Sequence, residues 1–390
     1  MITHESESSV SASRHSLPKI IIGTSCLGNL YKNIGYKAKK DIIEEVISQN
    51  NLRSTNGHDH KKLIFDCAGK YGCGLALETL GMILKDLGVP TSDVNISNKL
   101  GWRRTGLNNG DPCSCAHMEP GVWMDLEFDG KARQLILAQL MIFRFLIYFL
   151  TRSITAIMDI SYDGILKCFE EGNALLGDYS SSIVSVHDPD DFVDGAADNS
   201  ILRQGRIENV IGAYKRLTEL KSQRRVESIG IGVKNPEIIE QLLLRGIHLD
   251  WTMVAGVLTP YVHTVFVQAL LRTLNCKGIQ VINAAVFNSG FLVGENYYNY
   301  ILQDRQNNQA LFDWRDNFHN VCRTFNKHPA HVCVQFSFLF SEISSVALNA
   351  CSPEHVTQNF QFVFEGIPID HEIWKVLAQE QLIKIETPLS

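Results

Sequence analysis

The chain has no excess of positive charge: 36 lysines and arginines stand against 42 aspartates and glutamates, a net charge of -6 over 390 residues. No run of basic residues with interleaved aromatics occurs, so the electrostatic footprint of a nucleic-acid binder is missing. Both common glycine-rich phosphate loops are absent as well. No GxGxxG follows a first strand, and no GxxxxGK is followed by Ser or Thr, which excludes the two usual loop modes of nucleotide binding. Paired cysteines are also lacking. Ten are scattered singly, and the one tight pair, Cys113 and Cys115 with His117 beside it, has no second half at a zinc-binding distance, so no metal site is expected and free thiols in a reducing compartment are. The first sixteen residues carry Glu5, Glu7 and many serines but no apolar block. That fits neither a secretory signal nor a mitochondrial presequence, and predicts a disordered tail over 1–16 and a cytoplasmic location. The one long apolar run, Leu135 to Leu150, is interrupted by Gln139 and Arg144 and falls short of the roughly 20 residues a membrane span needs. It reads as a helix inserted in a loop, with no membrane partner expected.

What is present is a regular alternation. With 45% hydrophobic residues the chain can bury a full core. Short apolar runs read as strands at Lys19–Gly23, Leu63–Asp66, Asn95–Lys99, Ile183–His187, Ser228–Val233, Trp251–Val254 and Gln280–Ala284. Amphipathic helices separate them at Lys40–Ser48, Leu75–Leu87, Ile160–Leu176, Val210–Lys221, Pro236–Arg245 and Val262–Asn275. Strands alternating with helices mean parallel pairing through helical crossovers. About eight such units point to an α/β fold closed as a (β/α)8 TIM barrel rather than an open doubly wound sheet.

The segment Phe65-Asp66-Cys67-Ala68-Gly69-Lys70-Tyr71-Gly72 sets an acid and a phenol five residues apart just beyond an apolar segment. Lys99 and His187 end two later ones. Asp, Tyr, Lys and His are the parts of a proton-transfer device: a phenol ionises near pH ~10, and an adjacent ammonium group lowers that value. Asp66 is placed to hold Lys99, and Asp66, Lys99, His187 and Asn235 all fall at or just after strand C-termini, the face where such barrels assemble active sites. Asp188 and Asp190 read as ordinary turn or helix-cap carboxylates, with Asp188 also placed to bind a ligand hydroxyl.

On these residues the chain resembles the aldo-keto reductases, whose Asp, Tyr, Lys and His match Asp66, Tyr71, Lys99 and His187 in order and strand context, over about Lys19 to Ile383. Within them it is similar to the branch of aldose 1-dehydrogenase, L-fucose dehydrogenase and pyridoxal 4-dehydrogenase, through GTSCLGNLY from Gly23, YGCGLALETLG from Tyr71, NKLGW from Asn98, ISYDGILKCFEEG from Ile160, SVHDPDD from Ser185, INAAVFNSGFL from Ile282 and IPIDHEIWKVLAQEQLI near the end. The resemblance implies an oxidoreductase that uses NAD or NADP without metal. It would oxidise an aldose of the L-fucose or D-arabinose type at C1 to the lactone, with Tyr71 as general acid and base. Pyridoxal oxidation or general aldehyde and ketone reduction is the alternative, and a non-catalytic barrel that binds a nicotinamide nucleotide is a third. The barrel is expected over 17–390, with insertions at 48–62 and 131–158.

By the same resemblance the cofactor lies over the barrel mouth, touched by Gly23, Thr24, Asn235, Asn288, Ser289, Gly290, Leu292 and Asn359. The late loop carries Leu348, Asn349, Ala350 and Cys351 where many relatives carry an arginine, which favours NAD over NADP. Lys234 is a candidate phosphate contact in the other direction. The partner is a small sugar or aldehyde.

Overall fold

The computed structural model describes residues 17–30, 33–55, 62–105 and 155–384. Eight parallel strands close into a barrel: β1 (Ile20–Gly23), β2 (Leu63–Ala68), β3 (Val94–Leu100), β6 (Ser181–His187), β7 (Ser228–Val233), β8 (Trp251–Ala255), β9 (Gln280–Ala284) and β12 (Ile343–Asn349), with β12 pairing back onto β1. Two antiparallel hairpins lie outside the barrel, β4 (Trp102–Thr105) with β5 (Thr155–Met158) and β10 (Tyr297–Tyr298) with β11 (Ile301–Leu302).

The period-2 alternation of each strand assigns its side chains to two layers. Ile20, Ile22, Phe65, Ile96, Val184, Val186, Ile229 and Ile231 face outward and pack against the helices. Ile21, Ile64, Ile183, Trp251, Met253, Ile282 and Ala284 form a separate cluster inside the barrel. Polar residues continue that inner row toward the C-terminal ends. Asp66 lies two residues after Ile64, Ser185 and His187 two and four after Ile183, and Ser97 and Lys99 flank the same face of β3, all of them buried. The register carries this row around the wall, Lys99 beside Ser185 and Ser185 beside Gly230.

Side-chain caps start the outer helices where the sequence offers them. Ser161 Oγ accepts the Gly164 N–H at 3.0 Å, and Asn199 Oδ1 accepts the Leu202 N–H at 2.9 Å.

Several expectations from sequence need adjustment. The first helix runs from Tyr36 to Thr55 rather than Lys40 to Ser48, so residues 48–55 of the supposed loop insertion 48–62 are helical. The last four residues of the supposed insertion 131–158 are strand β5, with Met158 opposite Trp102. Strand β12 was not among the expected strands, although it closes the barrel. The tail 1–16, the Cys113–His117 cluster and the apolar run Leu135–Leu150 lie outside the described residues. Among the described residues no helix is long and apolar enough to cross a membrane.

Gly230 and Trp251 are opposite in register, and a Cβ at Gly230 would stand 2.3 Å from the Trp251 ring, which is 1% exposed. In a closed wall the indole has nowhere to go. Gly230→Ala is therefore expected to lower stability by about 1–3 kcal/mol, the usual cost of overpacking, and Gly230→Ala/Trp251→Phe to recover part of it. Denaturant midpoints check this, and an unchanged midpoint in the single variant would show that the ring is free to move.

Candidate active site

Asp66 enters the site from the inner face of β2, and Lys99 from the neighbouring β3. They form an ion pair buried on all sides, and Ser97 Oγ donates to the second carboxylate oxygen at 3.4 Å. Space for the lysine stem comes from Gly232 on β7, where a Cβ would stand 3.4 Å from Lys99 Cδ. The Asp66 carbonyl is held too, by the backbone N–H of Thr24 at 3.1 Å and its hydroxyl at 3.0 Å.

Tyr71 follows β2 in a turn made possible by two glycines. A Cβ at Gly28 would lie 2.7 Å from the Tyr71 carbonyl carbon, and Gly72 has φ 58° with Gly28 O only 2.5 Å from where its Cβ would be. The loop after β1 thus packs directly on the Tyr71 backbone. The ring takes the Lys99 ammonium 4.8 Å from its centroid and meets the His187 ring edge-on at 5.8 Å and 87°. The four residues expected to act together are therefore brought together.

Electrostatics set the resting protonation of this group. Burial, followed by the negative charge of Asp66, pushes the Tyr71 phenol well above its ordinary value. This reverses the expectation that Lys99 lowers it: the lysine charge is compensated by Asp66, so desolvation wins. Burial holds His187 well below the usual imidazole value, and the ammonium groups of Lys99, Lys70 and Lys234 reinforce it against Asp188. Both groups are neutral near pH 7. His187 Nε2 lies 3.6 Å from Asp188 Oδ2, and its buried Nδ1 has no partner among the described residues.

A second set of charges, not foreseen as a set, forms the far wall. Lys70, buried beside Tyr71, donates to Asp188 Oδ2 at 2.8 Å and lies 5.3 Å from the centroid of the Trp102 ring. Burial penalises the Asp188 carboxylate, yet with the ammonium groups of Lys70 and Lys234 beside it the carboxyl lies below the ordinary carboxylate range. Lys234 pairs with Asp191 at 2.7 Å and approaches Asp188 at 3.8 Å. Asp190 is more than a cap. Its Oδ2 accepts the backbone N–H groups of Lys234 at 2.9 Å and Asn235 at 2.6 Å, tying the end of β6 to the loop after β7, and burial with the Asp188 charge pushes it up to about 6.

The expected cofactor residues lie on the same rim, in three groups. Gly23 ends β1 beside Asn349, and a Cβ there would meet Asn349 N at 3.3 Å; Thr24 next to it is buried. Asn359 donates to Asn349 O at 3.1 Å on the helix Pro353–Phe364. Asn235 is exposed and caps the following helix through the Glu237 N–H at 3.2 Å. After β9 the side chains are committed to protein. Asn288 is 1% exposed and bonded to Thr259 Oγ1 at 2.8 Å and Gly256 O at 3.1 Å, Ser289 Oγ accepts the Tyr300 N–H at 2.9 Å, Gly290 has φ 91°, and Leu292 is in the core. The backbone N–H groups of Asn288, Gly290 and Leu292 are committed too, to Ala285 O at 2.9 Å and to Phe287 O at 3.0 and 3.2 Å. Cys67, next to Asp66, is a core thiol that burial pushes up to about 12. Among the described residues no His, Cys, Asp and Glu cluster is suited to a metal.

Sequence reasoning missed Lys70 and Tyr300 as site residues. Lys70 carried a signal, a lysine immediately before the phenol. Tyr300 carried none, because it is more than 200 residues from Tyr71 and reaches the mouth only through its hairpin.

The chain is similar to known proteins along most of its length. The chain is 25% identical to pyridoxal 4-dehydrogenase of Microbacterium luteolum over 370 residues, 93% of each chain. It is also 25% identical to D-threo-aldose 1-dehydrogenase of a Pseudomonas species over 234 residues, 58% of this chain and 64% of that one. Among solved structures, an aldo-keto reductase from Bacillus halodurans in its holo form superposes with a TM-score of 0.58 at 17% identity, covering 95% of both chains. Glycerol dehydrogenase from Gluconobacter oxydans gives 0.59 at 14% identity, over 95% of this chain and 94% of that one. The model of the aldo/keto reductase family matches residues 19–378, and with the barrel and its rim in view the chain belongs to that family of oxidoreductases.

Proposed function

We propose that the protein is a nicotinamide-dependent aldose 1-dehydrogenase, interconverting a sugar of the L-fucose or D-arabinose type and its lactone. The observation that carries this reading is the Tyr71 ring set between the Lys99 ammonium at 4.8 Å and the His187 ring at 5.8 Å, beside the buried Asp66–Lys99 pair. The reading of a dinucleotide over the rim draws support from Asn235, which is exposed at the mouth after β7. When bound, the nicotinamide supplies the acceptor or donor of the hydride at the sugar's C1.

The chain's own residues handle the proton. In oxidation the Tyr71 oxygen takes the proton of the anomeric hydroxyl as C1 becomes the lactone carbonyl; in reduction the phenol returns it. Lys99 steadies the phenolate, and Asp66 fixes Lys99. His187, kept neutral, hydrogen-bonds the reacting oxygen and aims it at Tyr71. Engagement of Lys234 by Asp191, together with the missing arginine at Leu348–Cys351, supports NAD over NADP.

A second reading, reduction of a broader set of aldehydes or oxidation of pyridoxal, draws support from the resting state of Tyr71. A phenol that stays protonated at neutrality is a ready donor.

Incubating the protein with L-fucose, D-arabinose or pyridoxal and either NAD or NADP, and following reduced-cofactor absorbance, separates these readings. Turnover of sugars is expected. Growth with pyridoxal alone supports the second reading, and no turnover with any pair despite cofactor binding would leave a nucleotide-binding barrel. Tyr71→Phe is expected to lower kcat by about 10²–10⁴-fold, the usual range for a general acid or base, with cofactor affinity unchanged; residual turnover above a tenth of wild type removes Tyr71 from this position. The pH dependence has a definite sign. Because the Tyr71 pKa is raised, the donor form persists through neutrality, so reduction should be flat from about pH 7 to 9 while oxidation rises by about tenfold per unit. An oxidation rate that levels off below pH 8 contradicts the raised phenol.

A further inference from the structure

One aromatic side chain at the mouth has no place in the chemistry above. Tyr300 is the second residue of the two-residue turn joining β10 and β11, and Asn299 and Tyr300 have φ values of 47° and 67°. Such a turn needs left-handed backbone at both positions, and glycine is the residue that ordinarily takes the second. A tyrosine there is held against its own backbone preference.

The surroundings over-determine it. The Tyr300 N–H donates to Ser289 Oγ at 2.9 Å, and Asn299 Oδ1 accepts from Asn288 Nδ2 at 3.5 Å. Asn288 is in turn buried and fixed by Thr259 Oγ1 and Gly256 O. The hairpin therefore springs from the loop after β9 as a clamped unit, with Ile301 and Leu302 turned out to solvent. Its tyrosine turns the other way, only half-buried. The Lys234 ammonium lies 5.7 Å from the ring centroid, and the phenol lies within electrostatic reach of Tyr71, Asp188, Lys70 and Lys99. A turn residue needed only for packing would face the apolar core, not a wall of charged groups around the reacting centre.

We propose that Tyr300 is a specificity-determining residue whose hydroxyl hydrogen-bonds the substrate hydroxyl on the carbon next to the reacting carbonyl, so that 2-hydroxyaldehydes are favoured over their deoxy analogues. This rests on the proposed function only in taking the reacting carbon to lie at Tyr71.

Lactaldehyde and propanal differ by that one hydroxyl. In the reductive direction wild type is expected to prefer lactaldehyde, and Tyr300→Phe to lose about tenfold in kcat/KM for it, the scale of one hydrogen bond. Propanal should change by less than about twofold on the same scale, with melting temperature and cofactor affinity unaltered. An equal loss on both aldehydes, no loss on lactaldehyde, or weakened cofactor binding overturns the inference. If wild type reduces neither aldehyde, the proposed activity is what fails, and saturation-transfer NMR of D-arabinose with the protein decides for Tyr300. A signal lost in Tyr300→Phe supports the contact, and equal signals in both proteins overturn it.

Discussion

Asp66 and Lys99 face each other from neighbouring strands inside the barrel, 4% and 2% exposed. Two charges taken out of water cost several kcal/mol each, and only close geometry with further hydrogen bonds offsets that. The barrel supplies both: Ser97 Oγ donates to the carboxylate, and the lysine stem runs over Gly232. Breaking such a pair by removing one partner typically costs about 3–5 kcal/mol. The pair therefore holds its own geometry, and the Tyr71 ring is placed against a cation that cannot swing away.

The same pairing explains why the phenol is neutral at rest. An isolated ammonium 4.8 Å from the ring would favour the phenolate, but Asp66 cancels most of that field, and desolvation then dominates. Lys70 and Asp188 repeat the arrangement on the other side, and Lys234 with Asp191 repeats it again. Lys99, Lys70 and Lys234 thus each have an anion beside them. A site of this kind attracts no particular charge, which suits a neutral, hydroxyl-bearing substrate recognised by hydrogen bonds.

Most barrel strands were legible because they are short apolar runs bounded by turn residues, as at Ser228–Val233 and Gln280–Ala284, whose bounds agree with the structure. Strand β12 was not, since Ser344 and Ser345 break the apolar run. The structure accommodates Ser345 by letting its Oγ donate to Pro18 O at 2.6 Å. The polar end of the first helix was read as loop because its stabilisation is tertiary: Arg53 stacks over the Phe364 ring at 3.1 Å. Asp66, Lys99 and His187 were legible because they end apolar strands on the inner face. Lys70 and Tyr300 depend on which loops meet above the barrel, and no local periodicity encodes that.

His187 shows how the fold selects a neutral hydrogen-bonding ring over a charge beside Tyr71. An imidazolium there would be a fourth cation beside Lys99, Lys70 and Lys234, buried with only Asp188 to balance it, and that carboxylate already takes Lys70. The neutral ring avoids this conflict and keeps one nitrogen as donor and one as acceptor. Neither Tyr71 nor His187 can therefore deliver a proton by being a strong acid. In the proposed reaction, proton transfer is instead driven by the charge that develops on the substrate oxygen as hydride moves, when the phenolate left behind has Lys99 beside it. Fixed groups aimed at a charge that exists only in the transition state lower the barrier without tightening the ground state. That division explains a site whose ionised groups are all paired while its two working groups stay neutral.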